Sequence, residues 1–329
     1  MSGKSTFLTG VVLIAVCAVP AVAQQRLGDL VAEGGYDWMI GRWAATTDDG
    51  QKIEFEYSWG LDKNIVLNGF RMGDFTYHGM IMLAPSGMEA SDMGADSRGG
   101  IWKGTWYDDF DGLVRRTEYT QADGQVHKGE IVHTRVDADR MTVAMYAVDD
   151  SGYRSGEPWG KLTYKRQPAG AARDSSSGQQ GSRATDYQTL GDLVSEAGYE
   201  WLIGKWRGSD DERTYELEHK PILNKHAALM EAKIGDLKYR GLIMYVPSRQ
   251  EIMQVGADNM GGSSKSSWDQ DYEGPVHKIE YTGADGTKRK MEHVYVKVDG
   301  DTLKVKEYPV ESGGYRASEP RGSITFKRQ

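Results

Sequence analysis

The sequence predicts an all-β protein of two tandem antiparallel barrels, each 8–10-stranded and each led by a short N-terminal helix. Three observations predict it. The stretch LGDLVAEGGYDWMIGRW, Leu27 to Trp43, returns 163 residues later as LGDLVSEAGYEWLIGKW, Leu190 to Trp206, with 12 of 17 positions identical. Within each copy the dominant hydrophobic period is two, the period of a strand with one buried face. Turn chemistry separates the runs: Asp48-Asp-Gly, Met72-Gly-Asp, Asp111-Gly, Ala122-Asp-Gly and Asp149-Asp-Ser-Gly.

The elements follow in chain order. Residues 1–23, MSGKSTFLTGVVLIAVCAVPAVA, combine one lysine, an apolar run from Phe7 to Val19 and Ala-Val-Ala before Gln24. This reads as a secretory signal peptide, too short to span a bilayer as a helix, and predicts an exported protein, periplasmic or extracellular. The one cysteine, Cys17, lies in this segment. A lipid-anchored reading through Cys17 meets a branched residue where the processing peptidase needs a small one. Without Cys17 the chain has no disulfide, so stability must come from packed cores.

Leu27, Leu30 and Val31 lie on one helical face, and Leu27 to Glu33 is the predicted helix, a plug ahead of the first strand. Tyr36, Trp38, Ile40 and Trp43 then bring bulky groups to the junction, with Gly41 allowing a sharp turn. IEFEYSW (53–59) alternates Ile53, Phe55, Tyr57 and Trp59 against polar residues; further runs occur at 64–72, 75–83, 101–107, 113–120, 129–136, 140–148 and 160–165. Closure is expected because it removes exposed sheet edges.

The second copy aligns with the first through its length. At an offset of 162, GDFTYHGMIMLAPS (73–86) meets GDLKYRGLIMYVPS, GADSRGG (94–100) meets GADNMGG, and SGYRSGEP (151–158) meets GGYRASEP. The predicted domains are thus 27–166 and 190–329. Residues 167–188, QPAGAARDSSSGQQGSRATDYQ, form a Gly/Ser/Ala-rich flexible linker. Residues 27–166 carry net charge −8 and residues 190–329 net −2, so nucleic acid is excluded as an expected partner.

Trp38-Met-Ile-Gly-Arg-Trp and Trp201-Leu-Ile-Gly-Lys-Trp resemble the glycine-tryptophan first-strand signature of calycin folds: lipocalins, fatty-acid-binding proteins and nitrobindin-like barrels. With GTWYDDFDG (104–112), the chain looks most like a group of largely uncharacterised bacterial lipocalin-like domains that begin in the same way. The resemblance implies lipocalin-like barrels and a small apolar ligand.

Nitrobindin-like relatives bind haem through a histidine. Here no histidine occupies the same place in both copies: His78, His127 and His133 align with Arg240, Arg289 and Tyr295, while His219, His226, His277 and His293 have no histidine partners. Surface or core roles are expected for them, with haem in one copy as the alternative. DQDYEGPVHKIE (269–280) has the acid and glycine spacing of a calcium loop, with Asp269, Asp271, Glu273 and Glu280 as candidate ligands. Its flanks read as strand and turn, which favours a hairpin with an acidic tip.

Asp96 and Asp258, in the shared Gly-Ala-Asp-x-x-Gly-Gly, are candidate ligand contacts; the plainer expectation is that they bond their own turn. Trp43, Trp106, Tyr119, Trp206, Trp268 and Tyr281 recur in both copies and are the candidate pocket lining. Met72, Met80, Met82, Met88, Met93, Met244, Met253 and Met260 are expected in cores, or else in an adaptable pocket. There is no Gly-x-Ser-x-Gly, phosphate loop, His-Glu-x-x-His or catalytic cysteine. The leading expectation is a binder of a small apolar molecule, with no cofactor and no transmembrane segment. The alternatives are a scaffold of solid barrels presenting acidic hairpins, and a cavity isomerase or cyclase using a carboxylate such as Asp96. The ligand, the docking of the barrels and the oligomeric state stay open.

Overall fold

Strand-forming runs that alternate every second residue, joined by tight turns, close on themselves twice. The computed structural model describes residues 25–84, 89–168 and 187–329. The signal-peptide reading with Cys17, most of the linker and Met88 lie outside the described residues.

The first barrel opens with α1 (Leu27–Glu33) and a 3-10 turn at Asp37–Met39. Its strands are β1 (Gly41–Thr46), β2 (Lys52–Gly60), β3 (Ile65–Met72), β4 (Phe75–Leu83), β5 (Ala90–Asp96), β6 (Ile101–Asp109), β7 (Gly112–Thr120), β8 (Val126–Arg135), β9 (Arg140–Ala147) and β10 (Gly160–Gln167). The second repeats the plan: α2 (Leu190–Glu196), a 3-10 turn at Glu200–Leu202, then β11 (Gly204–Ser209), β12 (Thr214–Ile222), β13 (Ala227–Ile234), β14 (Leu237–Val246) and β15 (Glu251–Asp258). It continues through β16 (Ser263–Gln270), β17 (Pro275–Thr282), β18 (Lys288–Lys297), β19 (Thr302–Pro309) and β20 (Gly322–Arg328). Each strand pairs antiparallel with its chain neighbours, and β1 to β10 and β11 to β20 complete two closed ten-stranded barrels. No helix among the described residues is long and apolar enough to cross a membrane.

The twice-written opening phrase has a mechanical role. Trp43 is buried at the base of the first barrel; its indole N–H donates to the Met39 carbonyl at 2.9 Å, and the Arg166 guanidinium lies 4.1 Å from its ring centre. Arg166 also donates to the Ile40 carbonyl at 2.9 Å, binding the last strand to the entry turn. Trp206 and Arg328 repeat the arrangement, with the guanidinium again at 4.1 Å and donating to the carbonyls of Ile203 at 2.9 Å and Trp201 at 2.8 Å. A cation over an indole face is electrostatically attracted to the ring quadrupole. Gly41 is required beneath it: its φ is +135°, and a Cβ there would sit 2.6 Å from Arg166 Nη1. The helix ahead of the second barrel is capped by Thr189, whose hydroxyl accepts from the Asp192 amide at 3.1 Å while Asp192 accepts from the Thr189 amide at 2.9 Å.

The sequence reading passed over β5. Its inward positions, Asp92, Gly94 and Asp96, are polar or small, while the apolar Met93 and Ala95 point outward. They point into the other barrel. Ile65, Met80, Met82, Met93, Ala95 and Ile101 form one buried apolar cluster with Ala227, Leu242, Met244, Val246, Val255 and Ala257. The two barrels therefore dock through the outer faces of β3–β6 and β13–β15. Five of the methionines singled out in the sequence (Met80, Met82, Met93, Met244 and, at the edge, Met253) belong to this seam, neither in a barrel interior nor in a pocket. Met72 packs in the first barrel's core, and Met260 is exposed.

The docking has approximate twofold symmetry. Asn64 donates to the Asn259 carbonyl at 2.9 Å, beside Gly261. At the 162-residue offset, Asn64 corresponds to His226 and Gly261 to Gly99, and a Cβ on Gly99 would lie 3.3 Å from His226 Nδ1. The same patch thus meets itself, as at an isologous dimer interface. Replacing Leu242 by Asp places an unpaired charge in the seam and should cost at least about 3 kcal/mol. The expected outcome is a larger radius of gyration in small-angle scattering with β-sheet circular dichroism retained; an unchanged radius and full stability would show that the seam does not hold the barrels together.

Candidate functional site

The inward positions of the two barrels can be compared one by one, and they have diverged. In the first barrel the centre is a buried ion pair. Arg115 Nε donates to Asp92 Oδ1 at 3.0 Å, and its terminal nitrogen makes a second, short bond to Asp92 Oδ2. Arg115 also donates to the Tyr77 hydroxyl at 3.1 Å, and the Trp106 indole donates to Asp92 at 2.9 Å. Burial disfavours the guanidinium's charge, but the field of Asp92 outweighs it and raises the Arg115 pKa. Gly104 makes room for the pair, since a Cβ there would lie 2.1 Å from Asp92 Oδ1.

Around this pair the interior is packed with rings. Phe55 lies 5.2 Å from Phe70 and 4.6 Å from Tyr164, Phe70 lies 5.8 Å from Phe75, and Trp102 stacks on Tyr119 at 4.2 Å. The Tyr57 hydroxyl meets His133 Nε2 at 3.3 Å.

In the second barrel Gln254 stands for Asp92, His277 for Arg115 and Ser266 for Gly104. Both charges are gone together, and a neutral network takes their place. Trp268 donates to Gln254 Oε1 at 2.9 Å, Gln254 Nε2 donates to the Tyr239 hydroxyl at 2.9 Å, and His277 Nε2 pairs with Ser266 Oγ at 2.7 Å. The His277 ring stacks on Trp268 at 4.4 Å.

Volume is lost at the same time. Phe55, Phe70, Phe75 and Trp102 are replaced by Leu217, Ala232, Leu237 and Ser264, and these four replacements line an interior cavity of about 80 Å³. Tyr239, Tyr281, Tyr295, His277 and His293 complete much of its wall. His277 Nδ1 and His293 Nε2 are buried without a hydrogen-bond partner. Burial lowers the His293 pKa to about 4, assisted by nearby Arg321, and pushes His277 well below the usual imidazole value. Both rings are therefore neutral near pH 7. The cavity offers an apolar wall with a few neutral hydrogen-bonding groups.

The residues singled out in the sequence fall in several places. Trp43 and Trp206 seal the barrel bases and stand outside the cavity lining. Trp106 and Trp268 belong to the central polar networks, and Tyr119 packs on Trp102. Tyr281 lines the cavity and donates to Asp258 at 2.8 Å. Asp96 accepts from the amides of Arg98 at 2.8 Å and Gly100 at 3.0 Å and from the Trp102 indole at 3.1 Å; Asp258 accepts from the amides of Met260 at 2.8 Å and Gly262 at 2.9 Å. These two carboxylates thus hold their own turns.

The acidic segment 269–280 is the β16–β17 hairpin, and each of its carboxylates has a cation. Asp269 pairs with Lys278 at 2.7 Å, Asp271 with Arg316 at 2.7 Å, Glu273 with Lys306 and Glu280 with Lys290. Among the described residues no group of three or more metal-ligating side chains converges. Of the expected surface or core roles for the histidines, His277 and His293 take buried core positions; Arg115 is a site residue that the motifs do not single out. The usable signal was their parity: each stands at an inward position of an alternating run, two residues from an aromatic or apolar inward neighbour.

No protein-family model matches the chain, and no curated protein matches it. Among solved structures, a protein of unknown function from the DUF3598 family of Nostoc punctiforme PCC 73102 matches with 11% identity, covering 89% of this chain and 97% of that one, at a TM-score of 0.20.

The histidines give the barrels different acid sensitivity. Burial, joined in His133 by the Arg115 charge, lowers the pKa of His133 and His219 from 6.5 to about 4, as in His293. Between those limits the unfolded chain binds the extra protons, so stability is lost as pH falls from 6.5 toward 4, on the order of 1.4 kcal/mol per pH unit for each buried imidazole. Of the histidines held low by burial, the second barrel has His219, His277 and His293, and the first has His133. Hydrogen exchange followed from pH 7 to 4 should show residues 190–329 losing protection first; simultaneous loss would contradict the neutral-histidine assignment.

Proposed function

We propose that the protein is an exported binder of a small, largely apolar molecule, with lipocalin-like barrels of unequal role. The second barrel receives the ligand in its interior, and the first is a solid partner that supports it. The observation that carries this reading is the coordinated exchange of Phe55, Phe70, Phe75 and Trp102 for Leu217, Ala232, Leu237 and Ser264 around one cavity. Random drift in a core leaves voids that cost stability in proportion to their size. Here the enlarged space is bordered by His277 Nδ1, which is buried without a hydrogen bond and which a ligand with one hydrogen-bonding group would satisfy; His293 Nε2 beside it already faces the Glu307 carboxylate at 3.9 Å. At about 80 Å³ the space takes at most a single-ring molecule such as phenol, with the flexible Met230 and Met291 of its wall giving way, and lies well below the roughly 300–1,000 Å³ of drug-sized sites. A tetrapyrrole does not fit it.

A second reading, an interaction module, is favoured by one duplicated surface feature. Phe110 and its counterpart Tyr272 stand at the β6–β7 and β16–β17 tips, 91% and 92% exposed, above acidic side chains. Such a module would need no cavity.

Phenol titration of the full chain, followed by thermal shift, separates the two. Binding should saturate, and Ala232→Phe, which restores the first-barrel residue, should abolish it while raising thermal stability. Equal phenol response in the parent and in Ala232→Phe would remove the deep cavity from consideration and leave the interaction reading.

A further inference from the structure

The base of the second barrel holds another space, distinct from the deep cavity. Between α2, the 3-10 turn at Glu200–Leu202 and the strands above lies a pocket of about 570 Å³, walled by Leu190, Leu193, Leu202, Ile243, Tyr245 and Trp268. That volume is within the range of sites that hold drug-sized molecules. No residue lines both spaces. Trp268 faces this pocket and Tyr295 faces the deep cavity, and their rings, 5.3 Å apart, form the partition.

The lining includes one buried polar side chain whose hydrogen bonding the protein leaves incomplete. His219 lines the pocket and is 3% exposed; neither ring nitrogen completes a hydrogen bond of good geometry, the backbone of Leu202 on the same wall being the polar group that approaches the ring. A buried polar atom left unsatisfied costs about 1–3 kcal/mol. The first barrel avoids that cost at the same position: Tyr57 stands there, and its hydroxyl reaches His133. The second barrel exchanges the two residue types, His219 with Tyr295, and the imidazole ends up facing the pocket with no side-chain partner and only the Leu202 backbone beside it.

The geometry points to a second ligand position under α2, taking an uncharged, multi-ring apolar compound whose single hydrogen-bonding group meets His219. The rim decides the charge. Glu196 and Asp269 both border the pocket, so a carboxylate tail would enter against two negative charges. Asp269 is partly offset by Lys278 at 2.7 Å, whereas among the described residues Glu196 accepts a neutral bond from Gln188 at 2.7 Å and no cation. The walls are apolar and aromatic, which suits fused or linked rings. α2, a two-turn segment, forms one wall of the pocket through Leu190, Leu193 and Val194.

The test uses the full chain and N-phenyl-1-naphthylamine, a neutral compound with one N–H that is too large for the deep cavity. Its fluorescence should rise to saturation at one molecule per chain, with quenching of tryptophan emission. His219→Phe should weaken binding at least tenfold, and Leu193→Trp, which fills the pocket from the helix side, should do the same without altering the barrel interior. Ala232→Phe should leave the affinity unchanged, which separates this position from the deep cavity. 2-Naphthol should displace the probe and dodecanoate should not. Absence of saturable binding, equal binding in both base variants, or loss in Ala232→Phe alone overturns the site; displacement by dodecanoate as readily as by 2-naphthol overturns the ligand class.

Discussion

Closing ten strands into a barrel fixes how many side chains point inward, and everything else in this protein follows from what occupies those positions. The strand count and the antiparallel pairing order are the same in both copies, so corresponding inward positions can be compared directly. A closed sheet cannot shrink around smaller residues without breaking its ladder of hydrogen bonds. So when four ring-bearing positions of the first barrel become Leu, Ala, Leu and Ser in the second, the walls stay where they are and space appears. The Trp–Arg clamps at both bases hold the circumference at the two ends of each chain segment.

The charge exchange at the centre is equally constrained. An ion pair sealed in a barrel is tolerable only as a pair, since removing one member strands the other in a medium that cannot solvate it. Asp92 and Arg115 are therefore coupled. The second barrel has lost both, with Gln254 and His277 in their places, and it has gained Ser266 where Gly104 had to be bare. Three positions thus differ as one unit. The result is a centre without an ion pair, built of groups that both donate and accept, chemistry suited to uncharged ligands.

Much of the architecture was legible because it is written in local patterns. The duplication, the period of two, the glycine turns and the Trp-x-x-Gly-x-Trp phrase each depend on neighbours a few residues apart. What escaped were features set by partners far along the chain. β5 gives no distinct alternating run, since Gly94 and Asp96 weaken its pattern and its apolar side faces another barrel instead of its own interior. The methionines Met80, Met82 and Met244 look like core residues because they are buried, yet the surface that buries them lies some 160 residues away. The histidines His219, His277 and His293 were set aside for lacking counterparts in the first copy. Their importance lies in that difference, which becomes visible only once the inward positions are aligned through the structure.

The seam between the barrels explains how such divergence was tolerated. It is built from outward positions of β3–β6 and β13–β15, so the residues that dock the barrels and the residues that fill them sit on opposite faces of the same strands. Alternation separates the two roles completely: a change at Leu217 or Ala232 leaves the docking face untouched, and Leu242 or Met244 can be held constant while the interior changes. With the ring-filled first barrel beside it, the second has a flank braced by the shared seam. A single barrel with the same cavity would face solvent on that flank, exposing the apolar patch of Ala227, Leu242, Met244 and Val255. A tandem chain covers it at all concentrations, which a dimer of separate chains does only above its dissociation constant.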